Sequence, residues 1–286
     1  MWPVDESILC KFIEWCHYKK NLNVSTIKSY ISNLNTLMKV EGFDSNLSHS
    51  FNVKMAIRGV ENLNLISKKS KNHRKAMTLP LLKIMGHEIA KKNWDKDTKV
   101  VVWSAMCTAF FGSFRLGELL SKKDFEFNSA DTLLWGDVKF MADNSIQIKN
   151  KVSKVRTPGG EKISIFAFPG HCCPVAALKK LKNLSENSNN SPVFKFSSGK
   201  LFTNKNFNVI TADCLSPYFG SKAKHYSGHS FRAGLPSALA GCFSLSSEKA
   251  IKKWGRWNSN CFEKYTRLNH EAKREIFSLF TKALLK

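Results

Sequence analysis

The chain has 286 residues, 43% of them hydrophobic, and a formal net charge of +23 from 45 lysines and arginines against 22 aspartates and glutamates. That length supports a sizeable core and fits two domains better than one, and the charge excess, spread along the whole chain, points to a polyanionic partner. No apolar stretch is long enough to span a membrane, and the N-terminal stretch lacks the pattern of a cleavable signal peptide, so neither membrane embedding nor secretion is expected.

Residues 5–20 predict a helix, because Ile8, Leu9, Phe12, Ile13, Trp15 and Cys16 recur at helical spacing. Ser25-Thr26 is the expected cap of a second helix carrying Ile27, Tyr30, Ile31, Leu34, Leu37 and Met38 on one face, with Gly42 after its end. A third helix is expected from Phe51 to about Asn62, packing through Val53, Met55, Ile57 and Val60. Residues 1–66 therefore form a small helical bundle without strands.

The stretch 67–77 begins Ser-Lys-Lys-Ser-Lys-Asn-His-Arg-Lys and holds Lys68, Lys69, Lys71, Arg74 and Lys75 with no apolar residue among its first nine. It is expected to be an interdomain linker lying along a phosphate backbone. A solvated basic loop is the plainer alternative, and the same residues could serve as a nuclear-import signal.

A second domain is expected over residues 78–286. Thr78 should cap a helix through Leu81, Leu82, Ile84 and Met85, and the apolar run 98–111 should form a core helix that delivers Arg115. Leu133–Val138 and Ser145–Lys149 predict short strands, and Arg156–Ile165, turning at Pro158-Gly159-Gly160, predicts another strand pair. Helices should resume near Ala176 and fill most of the remainder. The eight cysteines form no CxxC pair. His171-Cys172-Cys173-Pro174 has no second ligand pair at zinc spacing, so it is expected to start a helix rather than bind metal. Free buried thiols and a reducing compartment follow.

The residues with chemical meaning cluster late. In Gly-His-Ser-Phe-Arg, His229 and Arg232 stand one helical turn apart, so both can face one point. Gly255-Arg256-Trp257 and then Tyr265 follow, while Arg115 sits upstream in Phe-Arg-Leu-Gly-Glu-Leu-Leu. Two arginines, a histidine and a tyrosine suffice for metal-free cleavage of a phosphodiester. Planar, always-charged guanidinium groups match phosphate oxygens, an imidazole handles protons and charge, and a phenol attacks. Glu118, one turn after Arg115, is expected to orient an arginine rather than act as an acid. Tyr18, Tyr30, Tyr218 and Tyr226 compete with Tyr265 for the nucleophile's role. No cofactor or metal is expected, because no carboxylate cluster offers a magnesium site.

At these residues the sequence resembles the tyrosine recombinase (phage integrase) family, and most of all the recombinases of DIRS-type eukaryotic mobile elements. Phe110–Leu119 resembles the first arginine box, Trp135-x-Asp137-Val138 the strand after it, His229-x-x-Arg232 the second box, and Gly255-Arg256-Trp257 with Tyr265 the third. Many bacterial members have histidine at the position of Trp257, and the separation from Trp257 to Tyr265 is one residue shorter than theirs. The resemblance implies a mainly helical, two-domain fold with a small sheet: a core-binding domain and a mixed α/β catalytic domain, closing as a C-shaped clamp on DNA. It implies Arg115, Lys154, His229, Arg232, Trp257 and Tyr265 as catalytic residues, with Lys151 as the runner-up for the lysine. Arg256 joins the linker cations as an expected DNA contact. It further implies specific double-stranded DNA sites, a homotetramer on two of them from a monomer or dimer off DNA, and a C-terminal exchange helix at about 271–286. Localisation is then nuclear in a eukaryote, or cytoplasmic with the genome otherwise. The alternatives are a non-catalytic DNA-binding protein derived from a recombinase and a type IB topoisomerase.

Overall fold

The computed structural model describes residues 4–43, 47–66, 75–152, 160–185, 188–242, 252, 255 and 256. The chain divides into two compact units, Met1–Asn72 and His73–Lys286. The described residues are mainly helical with one small sheet.

In the first unit α1 (Glu6–Tyr18), α2 (Val24–Val40) and α3 (Phe51–Ile66) enclose a core of Leu9, Ile13, Cys16, Ile27, Ile31, Val53 and Val60. Asp5 caps α1 by accepting from the Ile8 amide at 2.7 Å. α2 starts before the expected Ser25-Thr26 cap, because the amides of Thr26 and Ile27 already close on the Asn23 carbonyl. Its end is a Schellman turn: Gly42, at φ +83°, lets the Phe43 amide reach the Met38 carbonyl. α3 continues past Asn62 to Ile66, since neither glycine nor proline interrupts it there.

The second unit begins earlier than expected. Met77, expected as the last linker residue, is fully buried, and its amide donates to the Ser230 carbonyl at 2.9 Å. α4 (Leu79–Lys91) follows its Thr78 cap, and α5 (Lys96–Phe111) follows an Asp95 cap. α5 is apolar nearly all round because it is buried nearly all round, packing on α4, α7 (Pro174–Leu184) and α9 (Gly228–Cys242). α8 (Asn204–Phe219) packs against α4 and α9. The short α6 (Leu116–Leu119) follows α5.

The sheet is antiparallel, in the order β1 (Val138–Phe140), β2 (Ser145–Asn150), β3 (Glu161–Phe166). Ile148 stands opposite Val138 on one side and Ile163 on the other. Ile146, Ile148, Ile163 and Ile165 face the core. The strand expected from Leu133 begins only at Val138. Trp135–Asp137 is a 3-10 turn, held because Asp137 accepts from the Leu134 amide at 2.9 Å while Trp135 and Gly136 donate to Ser191 and Asn189. Of the strand pair expected within 156–165, residues 156–159 lie outside the described residues, and β3 pairs with β2. Cys173 caps α7 through its sulfur, with Pro174 as the first helical residue, as expected for a helix start. Cys16 is buried in the first unit, and Cys107, Cys172 and Cys214 are buried in the second. Burial pushes all four thiols up, that of Cys214 to about 11.

Candidate active site

The site is assembled where α5 ends. Gly112 caps that helix, and the space a Cβ would fill there holds the buried Phe114 ring, 2.2 Å from the ideal Cβ position. Ser113 then adopts a left-handed backbone, φ +49°, and Arg115 becomes the residue preceding α6. Glu118 folds back one turn. Its two carboxylate oxygens accept from the Arg115 amide at 2.8 Å and from Arg115 Nη1 at 2.8 Å. Arg115 keeps 35% of its side chain exposed while Glu118 keeps 2%, so a buried carboxylate holds an arginine that still faces outward.

The second arginine comes from α9. Gly228 starts this helix and abuts Leu116, whose side chain lies 2.1 Å from where a Cβ would stand, so the position has no room for a side chain. His229 sits in the first turn, half-buried. Arg232, one turn on, is only 3% exposed. It donates to the Ser113 carbonyl at 2.7 Å and to the Gly255 carbonyl at 3.0 Å, and its Nη1 lies 4.0 Å from Glu118.

Arg256, expected as a DNA contact, is drawn into this cluster by its side-chain hydrogen bonds. Its side chain is 10% exposed. Nη2 donates to Glu118 at 2.7 Å and to the Ser113 carbonyl at 3.1 Å, and Nη1 donates to Glu161 on β3 at 3.1 Å. The guanidinium also lies over the Phe114 ring, 5.0 Å from its centroid. Glu118 is thus shared by Arg115, Arg256 and, at longer range, Arg232. Burial pushes its carboxyl up, but the Arg256 guanidinium, the Arg115 amide and the Arg232 charge outweigh it and hold the pKa below the ordinary value.

The structure brings Arg115, Glu118, Arg232 and Arg256 into one cluster and sets His229 a turn from Arg232. Lys151, on the connection from β2 to β3, is bound to Asp137 at 2.6 Å and to the Ser129 carbonyl at 2.8 Å. Lys75 is exposed. Lys154, Trp257, Tyr265, Lys68, Lys69, Lys71, Arg74 and the helix expected at 271–286 lie outside the described residues. Two of the competing tyrosines lie among the described residues with perturbed phenols. The hydrogen bond from Tyr218 to Glu88 raises the phenol's pKa, and burial raises that of Tyr226. Sequence reasoning missed the Ser113 carbonyl and Glu161 as parts of the cluster. The positive φ at Ser113 is invisible in a serine codon, and Glu161 reads as an ordinary strand-edge charge.

No protein-family model matches the chain, and no curated protein matches it. Solved structures do. The Tn1549 transposon integrase in complex with circular intermediate DNA superposes with a TM-score of 0.62 at 12% identity, covering 96% of this chain and 85% of that one. XerH site-specific recombinase in a post-cleavage complex with palindromic difH substrate gives 0.59 at 14%, covering 98% and 73%. XerA recombinase gives 0.51 at 14%, covering 97% and 83%. Likeness at this identity establishes architecture, and it runs through nearly the whole chain: this protein has the tyrosine recombinase fold.

Proposed function

We propose that the protein is a site-specific DNA recombinase that cleaves and rejoins DNA through a 3′-phosphotyrosyl intermediate. The observation that carries the reading is the arginine cluster, Arg115 and Arg232 converging on Glu118 beside the helix that bears His229, on a fold shared with recombinases caught on DNA. In this reading the phenol oxygen of Tyr265 attacks phosphorus, the bond from phosphorus to the 5′ oxygen breaks, and the departing 5′ oxygen takes a proton from Lys154. His229 assists the phenol's deprotonation. Arg115 and Arg232 stabilise the charge on the five-coordinate phosphorus. Attack by another 5′ hydroxyl reverses the step, so bond energy is conserved without a nucleotide cofactor. The +23 charge supports DNA as the partner. Specific target sites, a homotetramer on two of them, an exchange helix at about 271–286, a DIRS-type mobile element as the source and a nuclear location complete the proposal.

A nicked duplex that traps the covalent intermediate tests it. Wild type should form a DNA adduct that maps to Tyr265, and Tyr265→Phe should bind DNA and form none. Binding without any adduct from wild type would instead indicate a non-catalytic DNA-binding protein. Relaxation of supercoiled DNA without pairing of two sites would indicate topoisomerase behaviour. An adduct on another tyrosine would refute the assignment of Tyr265.

A further inference from the structure

Burying an arginine is expensive unless its donors are matched, and Arg256 is held at φ +54°, a conformation side chains rarely adopt. Both terms oppose folding, so the arrangement persists because other contacts over-determine it. Those contacts are specific. One guanidinium joins two parts of the second unit: the Ser113–Glu118 segment, including the Phe114 ring beneath it, and Glu161 on β3. Its own backbone carbonyl, with that of Gly255, receives Nη2 of Arg232 at 3.4 and 3.0 Å. Arg256 and Arg232 therefore clasp each other's surroundings, and both draw on the Ser113 carbonyl.

Both terminal nitrogens of Arg256 are bound to partners within the cluster, and the side chain is 10% exposed. A lysine could not do the same, because a single ammonium cannot bridge Glu161 on one side and Glu118 with Ser113 on the other.

We infer that Arg256 is a positioning residue, which pins the Gly255–Arg256 turn to the carboxylate holding Arg115. The chain that continues to Tyr265 then departs from a point fixed relative to both arginines. This inference rests on the recombinase reading, since it gives the pinning a purpose. It differs from that reading in assigning Arg256 to the placement of other residues and not to contact with a phosphate.

The test uses the full chain and the nicked duplex, with Arg256→Ala, Arg256→Lys and Glu161→Gln. DNA affinity, the single-turnover cleavage rate at saturating DNA and thermal stability are measured for each. Displacement of a reacting group by about an ångström costs about 100-fold in rate, and Arg256→Ala should lose about that much cleavage at saturating DNA while keeping its DNA affinity. Arg256→Lys should recover little of it, and added guanidinium ion should partly restore Arg256→Ala. Glu161→Gln, which removes only the outer partner, should show a smaller loss of the same kind. If Arg256→Ala folds poorly, Arg256→Lys and Glu161→Gln decide by the same split. Weakened DNA binding with normal cleavage at saturation would overturn the inference in favour of a DNA contact. Normal cleavage by all three variants would overturn it outright. Absence of any adduct from wild type would overturn the recombinase reading, and this inference with it.

Discussion

Arg232 donates from Nη1 to the carbonyl oxygen of Ser113 at 2.7 Å, and Ser113 presents that oxygen from a left-handed backbone with φ +49°. A β-branched residue tolerates that conformation badly. Ser113→Val should therefore destabilise the protein by about 1–2 kcal/mol, whereas Ser113→Gly should change stability by less than about 1 kcal/mol. Urea unfolding measures both. A Ser113→Val variant as stable as wild type would show that the turn can relax without losing its carbonyl geometry.

Gly228 and Leu116 join the two arginine-bearing segments by direct contact. A methyl group at position 228 must displace the Leu116 side chain or the turn around Arg115. Gly228→Ala should cost about 1–3 kcal/mol through overpacking and should lower the cleavage rate as well. Adding Leu116→Ala should restore part of the stability, because the two substitutions share one volume. Additive losses in the double variant would contradict this.

Glu118 is a buried carboxylate among cations, so removing its charge strands them. Glu118→Gln should cost about 3–5 kcal/mol at neutral pH. The folded-state pKa lies below the ordinary value, so the carboxylate stabilises the fold above its unfolded pKa. That contribution fades as pH falls from about 4.3 towards the depressed folded value. Wild-type stability should drop over that window, and the gap to Glu118→Gln should narrow. A gap that stays constant down to the lowest pH would rule out the charge as its source.

The two candidate lysines separate by what each holds. Lys151 is paired with Asp137, which also fixes the Leu134 amide, so Lys151→Ala should loosen that turn and lower stability. A substrate with sulfur at the 5′-bridging position leaves without a proton. It should restore cleavage to Lys154→Ala and not to Lys151→Ala or Arg115→Ala. Restoration of Lys151→Ala instead would transfer the acid's role to Lys151.

The elements with a strong period were legible from the residues alone. The helices of both units stand close to where the apolar spacing puts them, because burial on one face writes that spacing directly. Boundaries set by backbone hydrogen bonds were less legible. α2 starts ahead of Ser25 because the Asn23 carbonyl closes the first turn, and β1 starts at Val138 because Asp137 holds a 3-10 turn against Ser191 and Asn189. Met77 reads as linker because it follows closely on the basic run Ser67–Lys75, and its burial shows only in the fold. At the site, Arg115, Glu118 and Arg232 were identifiable because motif spacing marks them. The inward turn of Arg256 was not, since an arginine between glycine and tryptophan gives no sign of which way its guanidinium faces, and Glu161 is 95 positions away.

The buried cysteines make the protein a reporter of its own opening. Cys16 belongs to the first unit, and Cys107, Cys172 and Cys214 belong to the second. Their thiols are both shielded and held protonated, so an alkylating reagent meets a reactive thiolate there only after local or global unfolding. Timed labelling followed by peptide mapping would then give separate opening rates for the two units in one experiment, with no introduced probe. Comparing those rates with and without added DNA would show whether DNA slows the opening of either unit.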